Sequence, residues 1–98
     1  MENLYAIIYT PGRSWIAEAS VFDQPLREHG AYMARLHDEG VVVQGGPFTD
    51  NAGGLVIVTA ESDDAAQSVV ENDPAVQSGV FDASFHPWMS VDWSTFSR

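Results

Sequence analysis

The sequence contains no cysteine and no lysine. Without cysteine, the protein has no disulfide, no thiolate ligand for a metal ion and no cysteine nucleophile. Without lysine, it has no side-chain amine that forms a Schiff base with a carbonyl substrate. No apolar run is long enough to cross a membrane, and the segment after Met1 lacks the basic and apolar pattern of a signal peptide. These absences exclude several classes of enzyme, and we expect a cytoplasmic protein.

Positive charge is also scarce. Four arginines stand against fourteen aspartate and glutamate residues, so the formal net charge is −10. Such a surface repels phosphate backbones and anionic lipid head groups, and we expect neither nucleic acid nor a membrane surface as a partner. The three histidines are scattered without the spacing of metal ligands, so no metal site is expected either.

The chain nevertheless has enough apolar sequence for a folded domain. Hydrophobic residues make up 45% of its 98 residues and charged residues 18%, which is normal for a globular protein. A chain of this length typically forms one domain with a thin core. We therefore expect a single domain over residues 1–98.

Segments rich in β-branched and aromatic residues predict four strands, at residues 4–10, 41–44, 55–60 and 80–85. Turn-forming sequences end the first two strands, at Pro11-Gly12 and at Gly45-Gly46-Pro47. The first and third strands, LYAIIYT and LVIVTA, are apolar on both faces. This pattern indicates that they are the central strands of a sheet.

Two helices are predicted between the strands. The first lies between Asp23 as its N-cap and Gly40 as its stop, with Pro25 in its first turn. The second begins after Ser62 and ends at Asp73-Pro74, because a residue that precedes proline avoids the helical region. Residues 11–22, before the first helix, show no clear period, and long connections of this kind often line a functional site.

The predicted order is β-α-β-β-α-β. Right-handed crossovers convert this order into an α+β fold of the ferredoxin-like type, a four-stranded antiparallel sheet in the spatial order 4-1-3-2 with both helices on one face. The other face of the central strands is also apolar, and no helix remains to cover it. We expect a second copy of the chain to pack there as a homodimer, with residues 88–96 helping to cover the edge.

A stripe along the first helix is formed, at helical spacing, by Leu26, His29, Met33 and Leu36. In the predicted topology the start of this helix and the end of the second helix lie at the same end of the sheet, so His29 and Asp73 are expected to meet. An aspartate at the end of a helix is disfavoured by the helix dipole, and a protonated histidine would compensate it.

A carboxylate beside an imidazole fixes the tautomer of the ring, and such a pair can transfer a proton. The pair of His29 and Asp73 is therefore a candidate catalytic pair. The same two residues also fit a half-buried histidine whose hydrogen bond is satisfied by a carboxylate at a helix end. The order of residues along the chain leaves both interpretations open.

Several short motifs together resemble the YCII-related family of small dimeric α+β barrel proteins. They extend over nearly the whole chain and are the LYAIIYT strand, His29-x-x-Tyr32, Gly46-Pro47, Asp50, Gly54, Ala65-Ala66, Asp73-Pro74 and Pro87-Trp88. The resemblance implies a pocket with a His and Asp pair, carried here by His29 and Asp73. Relatives in the family include a dehydrochlorinase of chlorinated hydroxyhydroquinones and proteins similar to muconolactone isomerase. The long connection 11–22 and the aromatic tail depart from the family, so the resemblance does not identify the substrate.

Two functions of different classes follow. In the first, the protein is a cofactor-independent lyase or isomerase in which His29 moves a proton on a small cyclic substrate and Asp73 orients the imidazole. In the second, it is a non-catalytic small-molecule binding or accessory protein that uses the same pocket. A small monooxygenase of the same fold is a third idea, which rests on analogy of fold alone.

Further candidate contacts to a substrate are Tyr9, Arg13, Trp15, Gly46 and Pro47. Arg13 has the charge to hold an anionic group, although a solvated loop arginine is the simpler interpretation. The aromatic rings at positions 9 and 15 are suited to the wall of a pocket, although packing in the core is their commoner use. The glycine and proline either bring the backbone close to a ligand or only bend the chain.

Overall fold

The computed structural model describes residues 3–97. Its strands and helices, in chain order, are β1 (Asn3–Pro11), α1 (Arg27–Asp38), β2 (Val42–Pro47), β3 (Gly54–Ala60), α2 (Asp63–Glu71), α3 (Pro74–Gln77) and β4 (Phe81–Trp88). Two single turns of 3-10 helix lie outside these elements, at Val21–Asp23 and Trp93–Thr95. Within the described residues, no helix combines the length and the apolar composition of a membrane span.

β1 lies in the middle of the sheet, antiparallel to β3 on one side and to β4 on the other. β2 completes the sheet by pairing antiparallel with β3. The resulting order, β2-β3-β1-β4, is the predicted order 4-1-3-2 viewed from the opposite edge. The predicted ferredoxin-like α+β fold is therefore confirmed.

One face of the sheet is buried against the helices. Tyr5, Ile7 and Tyr9 of β1 are 3%, 0% and 1% exposed, because alternate side chains of a strand point to the same face. Val56 and Val58 of β3 extend this face. The helices cover it with apolar residues at helical spacing, namely Tyr32, Leu36, Ala66 and Val70.

The first helix begins later than the sequence predicts. Asp23 is not its N-cap but the last residue of the 3-10 turn, which Ser20 caps by accepting the backbone N–H of Phe22. α1 starts at Arg27, so Pro25 lies before the helix and not in its first turn. The prediction of a helix capped by Asp23 is wrong.

Gln24 explains this late start. Its side chain is only 7% exposed. Its Oε1 accepts the N–H of Ile16 at 2.8 Å, and its Nε2 donates to the carbonyls of Ile16 at 2.8 Å and Ala19 at 3.3 Å. A buried amide without such partners costs about 1–3 kcal/mol. These bonds stabilise the connection as a closed loop and keep its residues out of the helix.

Asp73 also differs from its predicted position. α2 ends at Glu71, and Asp73 is the N-cap of α3, a one-turn helix that is not predicted from the sequence. Its Oδ1 accepts the N–H of Ala75 at 2.9 Å, and Pro74 occupies the first helical position, where its missing N–H is tolerated. The carboxylate is thus stabilised by the start of a helix, and the prediction that a helix end disfavours it is wrong.

Both edge strands extend beyond their predicted ends. β2 continues through Gly45 and Gly46 to Pro47, and β4 continues through Pro87 to Trp88. Proline lacks a backbone N–H, but an edge strand has one side on which no ladder bond is needed. The turn signals at these positions therefore do not end the strands.

The segment after β4 is exposed in the single chain. Met89, Trp93 and Phe96 of this segment are exposed, and so is Trp88, the last residue of β4. The rings of Trp93 and Phe96 pack on each other, with their centroids 5.3 Å apart. This segment carries much of the exposed large apolar surface of residues 3–97.

Candidate active site

The site is built around the buried carboxylate of Asp73, which is 0% exposed. Its Oδ1 accepts the backbone N–H of Ala75, and its Oδ2 accepts the hydroxyl of Tyr9 at 3.0 Å. Tyr9 comes from the end of β1 and Asp73 from the start of α3, 64 residues apart in sequence. A buried charge needs partners of this kind, because an unpaired carboxylate in the protein interior is strongly destabilising.

His29 approaches the same carboxylate from the first turn of α1. Its Nδ1 lies 2.9 Å from Oδ1 and 2.8 Å from Oδ2 of Asp73. A carboxylate can only accept hydrogen bonds, so Nδ1 of His29 carries the ring proton and donates a hydrogen bond to Asp73. The structure thus brings together the two residues that the sequence predicts to meet. The lone pair of Nε2 is left for another partner when the ring is neutral.

Aromatic rings hold the imidazole from two sides. The ring centroid of His29 lies 5.2 Å from that of Tyr9 and 5.5 Å from that of Phe81, both in edge-to-face geometry. The side chain of His29 is 16% exposed, so it is largely enclosed but not sealed. Fixed neighbours and one exposed edge are the conditions under which a histidine can exchange a proton with a bound molecule.

The hydroxyl of Tyr9 is a permanent donor to Asp73. Burial raises the pKa of Tyr9 above its ordinary value of 10.0, and the negative charge of Asp73 raises it further. The hydroxyl therefore keeps its proton throughout the neutral range. Tyr9 lines the cavity with its ring, as a candidate substrate contact should, but its polar atom is directed to Asp73.

Replacing Tyr9 with phenylalanine is expected to lower the free energy of unfolding by about 1.5–3 kcal/mol, the value of a hydrogen bond to a charged group. The change also removes a pH dependence. Above the ordinary pKa of 10.0 the unfolded chain loses the tyrosine proton while the folded chain keeps it. The stability of the wild-type protein therefore falls as pH rises through that range, and the fall should be smaller in the variant.

Urea denaturation of both proteins at neutral pH and above pH 10.0 measures the two effects of this change. Tyr5→Phe is the matched control, because the Tyr5 hydroxyl donates at 2.8 Å to Asp63, which is exposed, whereas the Tyr9 hydroxyl donates to the buried Asp73. Equal losses of stability in the two variants would contradict a special role for the Tyr9 hydroxyl.

A cavity of about 540 Å³ lies beside this group of residues, between α1, the connection before it and the β2–β3 edge of the sheet. Its helix side is formed by Leu26, Arg27, His29, Gly30 and Met33, together with Val21, Phe22 and Gln24 of the connection. Its sheet side is formed by Tyr9, Val42, Gly45, Gly46, Pro47, Gly53, Gly54, Leu55, Val56 and Phe81. The walls are predominantly apolar, as is usual for sites that bind small molecules.

Glycines bring the strands close together at the sheet side. Gly53 has a φ of +124°, and a Cβ atom there would overlap the carbonyl oxygen of Tyr9. A Cβ atom on Gly45 would lie 2.9 Å from Cγ2 of Val56 and from the carbonyl oxygen of Leu55. Side chains at these positions would force the backbone apart, so glycine is required for the shape of the cavity wall.

The predicted contact residues divide into two groups. Tyr9, Gly46 and Pro47 line the cavity together with His29. Arg13 and Trp15 lie outside its lining: the guanidinium of Arg13 lies beside Gly79, and the ring of Trp15 packs 5.7 Å from that of Phe81.

Sequence reasoning missed Gln24, Arg27 and Gly30, all of which line the cavity. A glycine inside a predicted helix was a usable signal, because glycine lowers helix stability and is usually retained there for a packing or functional reason. No comparable signal marked Gln24 or Arg27. Within residues 3–97, no group of three or more His, Cys, Asp or Glu side chains is arranged to hold a metal ion.

Comparison with known proteins places the chain in a family. A model of the YCII-related domain matches residues 4–88, whereas no curated protein matches the sequence. Among solved structures, 5-chloro-2-hydroxyhydroquinone dehydrochlorinase from Burkholderia phenoliruptrix, in complex with 2,5-dihydroxybenzoquinone, is similar with a TM-score of 0.61. The two sequences are 27% identical over 88% of this chain and 93% of that chain. In fold and in sequence, from the first strand to the last, this chain belongs to the YCII-related family.

Proposed function

We propose that this chain is a cofactor-independent lyase or isomerase, in which His29 moves a proton on a small cyclic substrate and Asp73 orients the imidazole. The observation that carries the proposal is the contact of 2.8 Å between Nδ1 of His29 and a fully buried carboxylate, at the wall of an apolar cavity. With Nδ1 committed to Asp73, Nε2 is the nitrogen that reacts.

The proposed reaction begins when Nε2 of His29 removes a proton from an O–H or acidic C–H group of the substrate. The imidazole becomes a cation, which Asp73 stabilises because opposite charges attract strongly in surroundings of low dielectric constant. In an isomerisation, the imidazolium returns the proton to another atom of the substrate. In an elimination from a chlorinated hydroxyhydroquinone, the imidazolium returns the proton to the ring carbon that carries chlorine. Chloride then leaves this carbon while His29 takes the proton of a second O–H group and passes it to water, which gives a quinone and HCl.

The substrate class is supported by the cavity and by the similar structure. A volume of about 540 Å³ is within the range of small-molecule sites and accommodates a single substituted ring. The similar dehydrochlorinase was solved with 2,5-dihydroxybenzoquinone, a six-membered ring with oxygen substituents. We therefore propose cyclic, oxygen-substituted substrates, among which chlorinated hydroxyhydroquinones are the first to assay.

The alternative is a binding or accessory protein that holds the same molecules without turnover. To decide, the wild-type protein is incubated with 5-chloro-2-hydroxyhydroquinone and with unchlorinated lactone and enol substrates, and released chloride and shifted double bonds are measured. Turnover above the rate without protein, lost in His29→Asn, supports the enzyme. Binding of 2,5-dihydroxybenzoquinone without any turnover would favour the binding protein.

Gly30→Leu tests whether the cavity is the binding site. A Cβ atom on Gly30 would meet no heavy atom within 4 Å, and the residue lines the cavity. Replacing a glycine inside a helix stabilises it by about 0.5–1 kcal/mol. We expect Gly30→Leu to be at least as stable as the wild type but to lose affinity for 2,5-dihydroxybenzoquinone. Gly30→Ala, the matched control, should gain stability and still bind; retained binding by Gly30→Leu in a calorimetric titration would rule out this cavity.

We also propose that the chain forms a homodimer through the open face of the sheet. Leu4, Ala6 and Ile8 of β1 and Leu55 and Ile57 of β3 are only partly buried there. The exposed aromatic residues that follow β4 would extend the apolar surface. Sedimentation of the protein at micromolar concentration should give the mass of two chains, and a stable monomer would refute this assembly.

A cytoplasmic location stays a prediction.

A further inference from the structure

The charges around the cavity differ from those of the rest of the chain. The chain carries fourteen acidic residues and a formal charge of −10, yet among residues 3–97 none of the side chains that line the cavity is an aspartate or glutamate. One of the four arginines, Arg27, does line it, as an exposed residue at the start of α1. The wall of the cavity therefore has a positive side chain in a strongly negative molecule.

Most other polar side chains at the cavity are already bonded within the protein. The hydroxyl of Tyr9 donates to Asp73, and so does Nδ1 of His29. Both polar atoms of the Gln24 amide bond the backbone of the connection before α1. Within the described part of the chain, two polar side-chain groups of the lining are left for a bound molecule, namely Nε2 of His29 and the guanidinium of Arg27.

Arg27 differs in this respect from another arginine of the same helix. Arg35 lies 3.6 Å from the carboxylate of Glu39, and its guanidinium lies 5.2 Å from the ring centroid of Tyr32. Across residues 3–97, Arg27 forms no ion pair within 4.0 Å and no side-chain hydrogen bond. Its five N–H donors are available to a ligand in the cavity.

We infer that the cavity selects small, mostly apolar molecules that carry one anionic oxygen group, and that Arg27 is the residue that binds this group. The inference rests on the proposed function in that it concerns the ligand of the same cavity. Guanidinium donors match carboxylate, phenolate and enolate oxygens, and a charge-assisted hydrogen bond is stronger beside apolar walls than in water. A neutral ligand of the same shape forms no ion pair with Arg27 and therefore binds less tightly.

The same residue has a consequence for the proposed reaction. When Nε2 of His29 removes a proton from the substrate, the electron pair stays on the substrate as negative charge on oxygen. Among residues 3–97, Arg27 is the cationic side chain that lines the cavity with His29, and we assign to it the stabilisation of that charge. Arg27 therefore acts both in selecting the ligand and in holding the anion that forms.

Binding of matched ligands tests the inference without any need for turnover. Benzoate and benzamide have nearly the same shape but differ in charge, and 4-nitrophenol is titrated both as the neutral phenol and as the phenolate. Affinities are measured by NMR titration for the wild type, for Arg27→Gln and for Arg27→Lys. Arg35→Gln is the control, because it makes the same change of charge on the same helix at a residue outside the cavity lining.

We expect the wild type to bind an anionic probe more tightly than its neutral counterpart. Arg27→Gln should weaken the anion about tenfold or more, as expected for a lost hydrogen bond between charged groups, and leave the neutral probe unchanged. Arg27→Lys should retain part of the preference. Dependence on Arg27 for phenolate alone, or for benzoate alone, identifies the oxygen group of the ligand.

Three outcomes would overturn the inference. The first is that the wild type shows no preference for either anion. The second is that Arg27→Gln loses as much affinity for neutral probes as for charged ones, and the third is that Arg35→Gln loses as much affinity for the anions as Arg27→Gln does. The outcome is separate from that for the proposed function. A protein that binds anions through Arg27 but catalyses no reaction supports this inference and refutes the enzyme. A protein that catalyses the reaction but whose ligand affinity does not change in Arg27→Gln supports the enzyme and refutes this inference.

Discussion

Replacing Asp73 with alanine is expected to lower the free energy of unfolding by about 3–5 kcal/mol, the usual effect of removing one partner from a buried charged group. The substitution leaves three donors without an acceptor, namely the Tyr9 hydroxyl, Nδ1 of His29 and the N–H of Ala75. A domain of this size is stable by only about 5–15 kcal/mol, so much of its stability would be lost.

Denaturant titration of purified protein measures this effect. Asp73→Asn should be less harmful, because an asparagine oxygen still accepts the N–H of Ala75 while the charge is removed. Asp92→Ala is the matched control: Asp92 also caps a single turn by accepting the N–H of Ser94, but it lies on the surface. If Asp73→Ala were no more destabilising than Asp92→Ala, Asp73 would not be the residue around which the site is built.

Replacing His29 with asparagine is expected to reduce turnover of a cyclic substrate by about 10²- to 10⁴-fold, the contribution of a well-placed general base. Asparagine is chosen because its amide nitrogen occupies the place of Nδ1 and can still donate to Asp73. It has no group in the place of Nε2 that accepts a proton. The variant therefore separates proton transfer from the support that His29 gives to the buried carboxylate.

The binding of 2,5-dihydroxybenzoquinone should be largely retained in His29→Asn, because only one residue of the cavity lining changes and Arg27 still lines the cavity. His37→Asn serves as the control, since His37 lies exposed at the other end of the same helix. Full activity in His29→Asn would show that another group moves the proton. A loss of folding in His29→Asn, detected by circular dichroism, would instead favour the purely structural interpretation of the pair.

Much of the fold could be predicted because it depends on short-range patterns. Alternating and continuous apolar segments identified all four strands, and their order with two helices specified the strand arrangement that the structure has. The same apolar pattern on both faces of β1 and β3 indicated a face that a single chain leaves open. Errors arose at the ends of elements. The N-cap signal at Asp23 was outweighed by the bonds of Gln24, and the turn signal at Gly45-Gly46-Pro47 by the edge position of β2.

The site was harder to predict, and of the two arguments that concerned His29 and Asp73, the one from topology was correct and the one from the helix dipole was wrong. His29 and Asp73 do meet, but the carboxylate is held at the start of α3 and not against the end of α2. The one-turn helix was missed because four residues carry too little periodicity to be detected. Arg13 was the arginine predicted to contact a substrate, in a connection expected to line the site, whereas Arg27 of α1 is the arginine that lines the cavity.

By itself, the sequence determined the α+β fold, the family and the chemistry that the missing residue types exclude, because composition and periodicity act between near neighbours in the chain. Only the tertiary structure decided which polar groups are already bonded and which remain for a ligand. Asp73 takes one donor from 44 residues away and another from 64 residues away. Such pairings depend on how α1, α3 and β1 pack on one another. Packing, unlike periodicity, cannot be predicted from any local segment of the chain.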